Sequence, residues 1–304
     1  MPADDPETAQ LLVLAVDHRV DLCREILESE AEQPTAEERE RAAALAHLPF
    51  EGLTLAIEGG VAKSSAVIWV DADLGEAVLL RARAMALATA VSVDRPGLET
   101  LQLEGGAGCV DRLRRFGASY AAARVPHRSG ITREEQKARL SALRLLSETC
   151  RIEGPPLLLE LVVLPAEDDL QRAGGVAEWN EKIRPLRTVE AMRELQDGGV
   201  EPAVWVVEAT TDPRAAATIA GQAHMDDRMG VRVLFAVGNE PTVEYDGIGL
   251  TAQERSAVQT AARTIGVSGL LAGPAAYFRQ LARHNSGERD RADTVADIAS
   301  RLRA

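Results

Sequence analysis

Short apolar runs rich in Leu, Val and Ile alternate along the chain with longer stretches whose apolar positions recur at helical spacing. The runs are QLLVLAVD (10–17), AVIWVDA (66–72), LATAVSV (87–93), ASYAAARV (118–125), PLLLELVVL (156–164), PAVWVVEA (202–209), VRVLFAVG (231–238) and VSGLLAG (267–273). Apolar residues at successive positions mark strands buried on both faces by crossover helices. The amphipathic stretches between them include GEAVLLRARAMA, REEQKARLSALRLLSETC, TVEAMRELQDGG, PRAAATIAGQAHMDD and TAQERSAVQTAARTIG. A last helix is predicted from about Pro274 to Arg303.

Eight strand–helix units in 304 residues predict a (β/α)8 TIM barrel, a fold of about 250 residues before insertions. A doubly wound open sheet is the alternative. Such a sheet often carries a glycine-rich phosphate turn after its first strand, whereas here that strand runs into Asp17-His18-Arg19. Neither Gly59-Gly60 nor Gly105-Gly106-Ala107-Gly108 has the spacing of a dinucleotide-binding turn. Residues 20–65 hold two helical stretches, DLCREILESEAE and TAEERERAAALAH, which read as an insertion in the first crossover. No linker-like segment divides the chain, so residues 1–304 are expected to form one domain.

Composition narrows the function. With 46% hydrophobic and 27% charged residues the chain is of ordinary globular type. Its 34 cations against 47 anions give a net charge of -13, which repels nucleic-acid backbones and anionic lipid. No run approaches the roughly 18 apolar residues of a membrane helix, and the acidic N-terminus lacks the pattern of a signal peptide. Cys23, Cys109 and Cys150 are isolated from one another, which fits a reducing, cytoplasmic setting. The expected partner is therefore a small-molecule substrate, with a homo-oligomer compatible with the fold and neither nucleic acid nor membrane involved. Only three cations are lysine: Lys63, Lys137 and Lys182.

In a barrel the chemistry lies at the C-terminal strand ends. The ionisable residues there are Asp17, His18 and Arg19 on the first strand, Asp71 and Asp73 on the second, and Asp94 and Arg95 on the third. Arg124, His127 and Arg128 follow on the fourth, Glu160 lies within the fifth, Glu208 ends the sixth, and Asn239 and Glu240 end the seventh. Asp17, His18 and Arg19 combine a carboxylate, a group titrating near neutrality and a fixed cation, although strand alternation lets only one or two face inward. Asp71 and Asp73 share a face if the strand continues, giving a paired-carboxylate site; the alternative is a helix N-cap by Asp73. Glu160 and Glu208 interrupt apolar runs, where an ionised carboxylate needs a partner such as Arg124. No histidine pair has metal-ligand spacing, so neither a resident metal nor a cofactor is expected, although Asp71, Asp73 and Glu208 offer a carboxylate set for a divalent ion.

Five segments carry a family resemblance: LLVLAVDHR, VDADLGEAVLLRARA, ARVPHRSGITREEQKARLSALRLLSE, LLLELVVLPAE and NEKIRPLRTVEAMRELQDGGVEPAVWVVEA. They resemble the class I aldolase-type barrels that include tagatose 1,6-bisphosphate aldolase. They are closest to the aldolase-like C-terminal domain of 5-dehydro-2-deoxygluconokinase. The resemblance implies retro-aldol cleavage of a phosphorylated keto sugar through a lysine Schiff base on the sixth strand. The position corresponding to that lysine is Val206, which cannot form an iminium. Other family positions also differ: Asp94-Arg95-Pro96-Gly97 replaces a Glu-Lys-Ser-Gly stretch, Tyr120 stands at a lysine position, and Gly273-Pro274 replaces a phosphate-contacting Gly-Arg.

The resulting expectation is a divergent carbon–carbon lyase, or related acid–base enzyme, on a small sugar-derived substrate, phosphorylated or not. In it Asp17, His18, Lys182 and Glu208 are the catalytic candidates, with Lys182 as substitute Schiff-base lysine. Arg19, Asp71, Arg124, Glu160 and Arg184 are the substrate-binding candidates. The alternative is an aldolase-like barrel without catalysis that binds a ligand or partner.

Overall fold

A computed structural model describes residues 10–17, 22–27, 35–95, 108–128, 130–239 and 250–304. Eight parallel strands close into a barrel in chain order, each pairing with its sequence neighbours and β1 with β8. They are β1 (Leu11–Val16), β2 (Ala66–Val70), β3 (Ala88–Ser92), β4 (Tyr120–Arg128), β5 (Leu157–Leu164), β6 (Val204–Glu208), β7 (Arg232–Val237) and β8 (Gly269–Ala272). All eight coincide with the apolar runs. The fold is therefore the expected (β/α)8 TIM barrel. Alternate strand residues point to opposite faces, so each strand serves two cores. Val13, Val67, Trp69, Leu158, Val206 and Leu234 fill the barrel interior. Leu14, Ile68, Leu159, Trp205 and Phe235 face the surrounding helices.

The helices are α1 (Ala36–Glu58), α2 (Ala72–Ala84), α3 (Cys109–Phe116), α4 (Arg133–Glu153), α5 (Glu167–Ala173), α6 (Arg184–Asp197), α7 (Pro213–Ala223), α8 (Ala252–Arg263), α9 (Phe278–Asn285) and α10 (Arg291–Arg303). Their starts are written into the sequence. Thr35, Thr132 and Thr251 each accept a hydrogen bond from the backbone amide three residues on, and the side chains of Glu38, Glu135 and Glu254 accept one in turn from the backbone amide of the cap. Trp179–Ile183 form a π-helical turn leading into α6.

Three features depart from the sequence reading. The second half of the insertion is a single long helix, α1, that continues through Pro49. Burial of Leu48, Pro49, Phe50, Leu53 and Ala56 offsets the hydrogen bond that proline omits. β4 runs three residues beyond its predicted end, past Pro126. The Ala122 carbonyl accepts from Val93, and the Arg124 amide donates to the Asp94 side chain, so even-numbered residues of β4 turn their backbone toward β3. Pro126 thus turns its missing donor toward an edge beyond the end of β3, where the ladder needs none. The single last helix is instead two helices, α9 and α10, separated at Gly287, whose φ of +81° suits glycine.

Cys23, Cys109 and Cys150 are free and buried. Burial raises all three thiols, that of Cys150 to about 12, which leaves them as packing residues rather than nucleophiles. No described helix is long and apolar enough to cross a membrane.

Candidate active site

The inward-facing sets of β1, β3, β4, β5 and β6 lead to Asp17, Asp94, Arg124, Glu160 and Glu208 at the C-terminal mouth. Arg124 on β4 is the centre of this group. Its Nη1 and Nη2 donate to Asp17 Oδ2 and Oδ1 at 3.0 and 3.2 Å, a two-pronged contact just past β1. Its Nε donates to Glu160 Oε2 at 2.7 Å. Strand register explains the second contact, because Arg124 lies opposite Glu160 and Glu160 lies opposite Val206. Glu160 is wholly buried, and its other oxygen accepts from Asn239 Nδ2 at 2.6 Å. The Arg124 guanidinium also lies 5.2 Å from the Trp69 ring centroid, whose indole donates to Ser92 Oγ at 2.9 Å.

Asp94 completes the group. It lies two residues past Ser92, and its Oδ1 accepts from the Arg124 backbone amide at 3.3 Å. Burial, reinforced by the Asp17 carboxylate, raises its pKa from 3.8 to about 7 despite the opposing pull of Arg124. The pKa of Arg124 is raised as well: burial works against its charge, but Asp17, Glu160 and Asp94 outweigh it and hold the guanidinium protonated. With three carboxyl groups around one guanidinium, the charge of Arg124 is already compensated. Its geometry makes it the anchor for Asp17 and Glu160.

Glu208 ends β6 and meets Arg184, the first residue of α6, at 2.8 Å. Arg184 Nη2 also donates to the Ala209 carbonyl at 3.3 Å. Both residues are half-buried. Two residues before Glu208 on the same face of the strand, Val206 is fully buried in the apolar interior.

The paired carboxylates expected from Asp71 and Asp73 do not form. The strand ends at Val70 and α2 starts at Ala72, which breaks the two-residue period. Asp71, rather than Asp73, is the N-cap, accepting from the Asp73 amide at 2.8 Å. Asp73 turns outward to Arg112 at 3.3 Å, while Glu208 is held by Arg184. The carboxylate set considered for a divalent ion is therefore dispersed, and the described residues contain no cluster of three metal-ligating side chains. Lys182 sits exposed on the π-helical turn before α6, and Lys63 and Lys137 are exposed as well. His18 and Arg19 lie outside the described residues. Asp94 and Asn239 belong to the site although sequence reasoning noted them only as strand-end residues. The signal was alternation: Asp94 follows the inward-facing Ala90 and Ser92 at two-residue steps.

Gly273, at the end of β8, shows how tightly the mouth is packed. A Cβ there would lie 2.5 Å from the Gly238 carbonyl and 2.7 Å from Asn239 Oδ1. Glycine at this position lets the β7 and β8 ends close together and fixes Asn239 beside Glu160.

This is the architecture of a (β/α)8 barrel, and solved structures share the fold. Cgl0159 from Corynebacterium glutamicum (Brevibacterium flavum) matches over 99% of this chain and 86% of its own, with TM-score 0.60 and 16% identity. An archaeal fructose 1,6-bisphosphate aldolase matches over 96% and 93%, with TM-score 0.52 and 13% identity. The fructose-bisphosphate aldolase from Slackia heliotrinireducens DSM 20476 matches over 96% and 86%, with TM-score 0.52 and 14% identity. Identities this low establish a shared fold alone. The chain belongs to the family described as "Uncharacterized protein conserved in bacteria (DUF2090)", which matches residues 2–301. No curated protein matches the sequence.

Proposed function

We propose that the barrel mouth is an acid–base site for a small, hydroxylated, sugar-derived carbonyl compound, and that it makes or breaks a carbon–carbon bond without a lysine Schiff base. The observation that carries this reading is Asp94, a carboxyl group held at the strand ends beside Asp17 and Arg124 with a pKa of about 7. A general acid or base works best when its pKa lies near the working pH. The resemblance to tagatose 1,6-bisphosphate aldolase and to the aldolase-like domain of the kinase supports carbon–carbon cleavage as the reaction class.

In the cleavage direction, ionised Asp94 takes the proton of a substrate hydroxyl. That oxygen becomes a carbonyl, the adjacent carbon–carbon bond breaks, and its electron pair moves onto the neighbouring carbonyl as an enolate. Protonation of the enolate carbon releases the second product. Arg184, steered by Glu208, is the cation placed to balance the enolate, the task an iminium performs in class I aldolases. Arg124 holds Asp17 and Glu160 in place. His18 and Arg19 keep their sequence-based roles as proton relay and ligand for a substrate anion. The cluster of carboxyl groups favours the hydroxyls of a polyol over a second phosphate. Lys182 lacks the apolar enclosure that activates a Schiff-base lysine.

The test is incubation of the full chain with a panel of ketoses, phosphorylated and free, with detection of the released aldehyde and borohydride trapping read by intact mass. The expected outcome is turnover that falls at least about 100-fold in Asp94→Asn, with no reducible adduct. Unchanged turnover in that variant, or an adduct on Lys182, would contradict the reading. The second reading, a ligand-binding barrel, is favoured by the apolar burial of Val206 at the lysine position. It predicts ketose binding without turnover.

A further inference from the structure

A cavity of about 290 Å³ lies on the other side of the barrel wall from the mouth, between α4, α6 and the upper part of the β4–β5 ribbon. His127 and Val163 line it from the helix-facing side of the wall, and Arg128 and Leu164, at the very ends of β4 and β5, reach it from the rim four residues beyond Arg124 and Glu160. Its size is at the lower end of the range for small-molecule sites. Its charges are unevenly matched. Arg139 on α4 is buried and donates to Glu194 at 3.1 Å, and Arg187 donates to Glu190 at 2.8 Å, both glutamates being on α6. Arg128, at the end of β4, has no carboxylate partner among the described residues and gives the cavity one uncompensated positive charge. His127 adds none near neutrality, because burial and the adjacent Arg139 lower its pKa. Val163, Leu164 and the buried Trp179 supply an apolar wall.

The geometry points to a second ligand site, distinct from the mouth, that binds a small organic monoanion by its carboxylate at Arg128 and Arg187 and by its apolar body against Val163, Leu164 and Trp179. Arginine forks suit carboxylate geometry, and a ligand with one charge and an apolar body satisfies both walls. The site is also connected to the mouth through rigid elements. β4 carries Arg124 and Arg128, β5 carries Glu160 and Leu164, and α6 carries Arg184 at its start and Arg187, Glu190 and Glu194 further along.

Benzoate serves as the probe, with benzyl alcohol as its uncharged counterpart and inorganic phosphate as an anion without an apolar body. Calorimetric titration of the full chain is expected to give saturable benzoate binding. Arg128→Gln and Arg187→Gln, both at exposed guanidiniums, are expected to weaken it at least tenfold, whereas Asp94→Asn in the mouth leaves it unchanged. The proposal is overturned by absence of saturable binding, by equal binding of benzyl alcohol, by tighter binding of phosphate, or by sensitivity to Asp94→Asn in place of the two arginine variants.

Discussion

At the scale of single residues, the mouth is a balance between burial and charge. Asp94 keeps its proton more tightly in the folded chain, at a pKa of about 7, than in the unfolded chain, where the ordinary value of 3.8 applies. The folded state is therefore favoured most below about pH 4, and this contribution is lost as pH rises toward 7. Asp94→Asn cannot ionise, so it is expected to melt above the parent chain at pH 8 and close to it at pH 4, as thermal unfolding at the two pH values will show. An equal pH dependence in both proteins would rule this out. Arg124 has the opposite character. Arg124→Met leaves Asp17 and Glu160 buried without their counter-charge, a loss of about 3–5 kcal/mol in urea unfolding at pH 7. Much of this site was legible in the sequence, because alternation places Asp17, Arg124 and Glu160 on the inner face of their strands. The raised pKa of Asp94 was not, since it comes from burial in the folded chain and from the carboxylate of Asp17, a residue far away along the chain.

At the scale of elements, legibility followed length and burial. All eight strands announced themselves as apolar runs because both of their faces are covered. α3 and α5, of eight and seven residues, are too short for a periodic signal to rise above chance. Asp71 was misassigned for a related reason: a strand period was carried across a boundary at which a helix begins immediately. Helix starts are readable where a capping box is present, and their contribution is measurable. Thr132→Ala removes the bond to the Glu135 amide at the start of α4 and should cost about 1 kcal/mol in chemical denaturation, with Thr132→Ser close to neutral. The packing of α1 on α10 is specified by a missing side chain. A Cβ at Gly52 would lie 2.5 Å from Ile298 Cγ2, so Gly52→Ala is expected to destabilise by about 1–3 kcal/mol, and Ile298→Ala in the same chain to recover part of the loss.

For the whole molecule, a closed barrel brings eight strand ends to one rim and excludes water beneath them. In this chain the floor at Val206 is apolar, the three lysines are exposed, and the rim carries carboxyl groups tied to arginine. The scarcity of lysine, at first a matter of composition, is what led us to propose a lysine-independent mechanism. That account depends on a carboxyl group in the mouth that exchanges its proton near neutrality. It is measured directly by carbon-13 NMR titration of side-chain carboxyl groups in the intact protein, with Asp94 assigned by its absence in Asp94→Asn. A midpoint of about 7 for Asp94 is the predicted result, and a midpoint near the ordinary 3.8 would contradict the account.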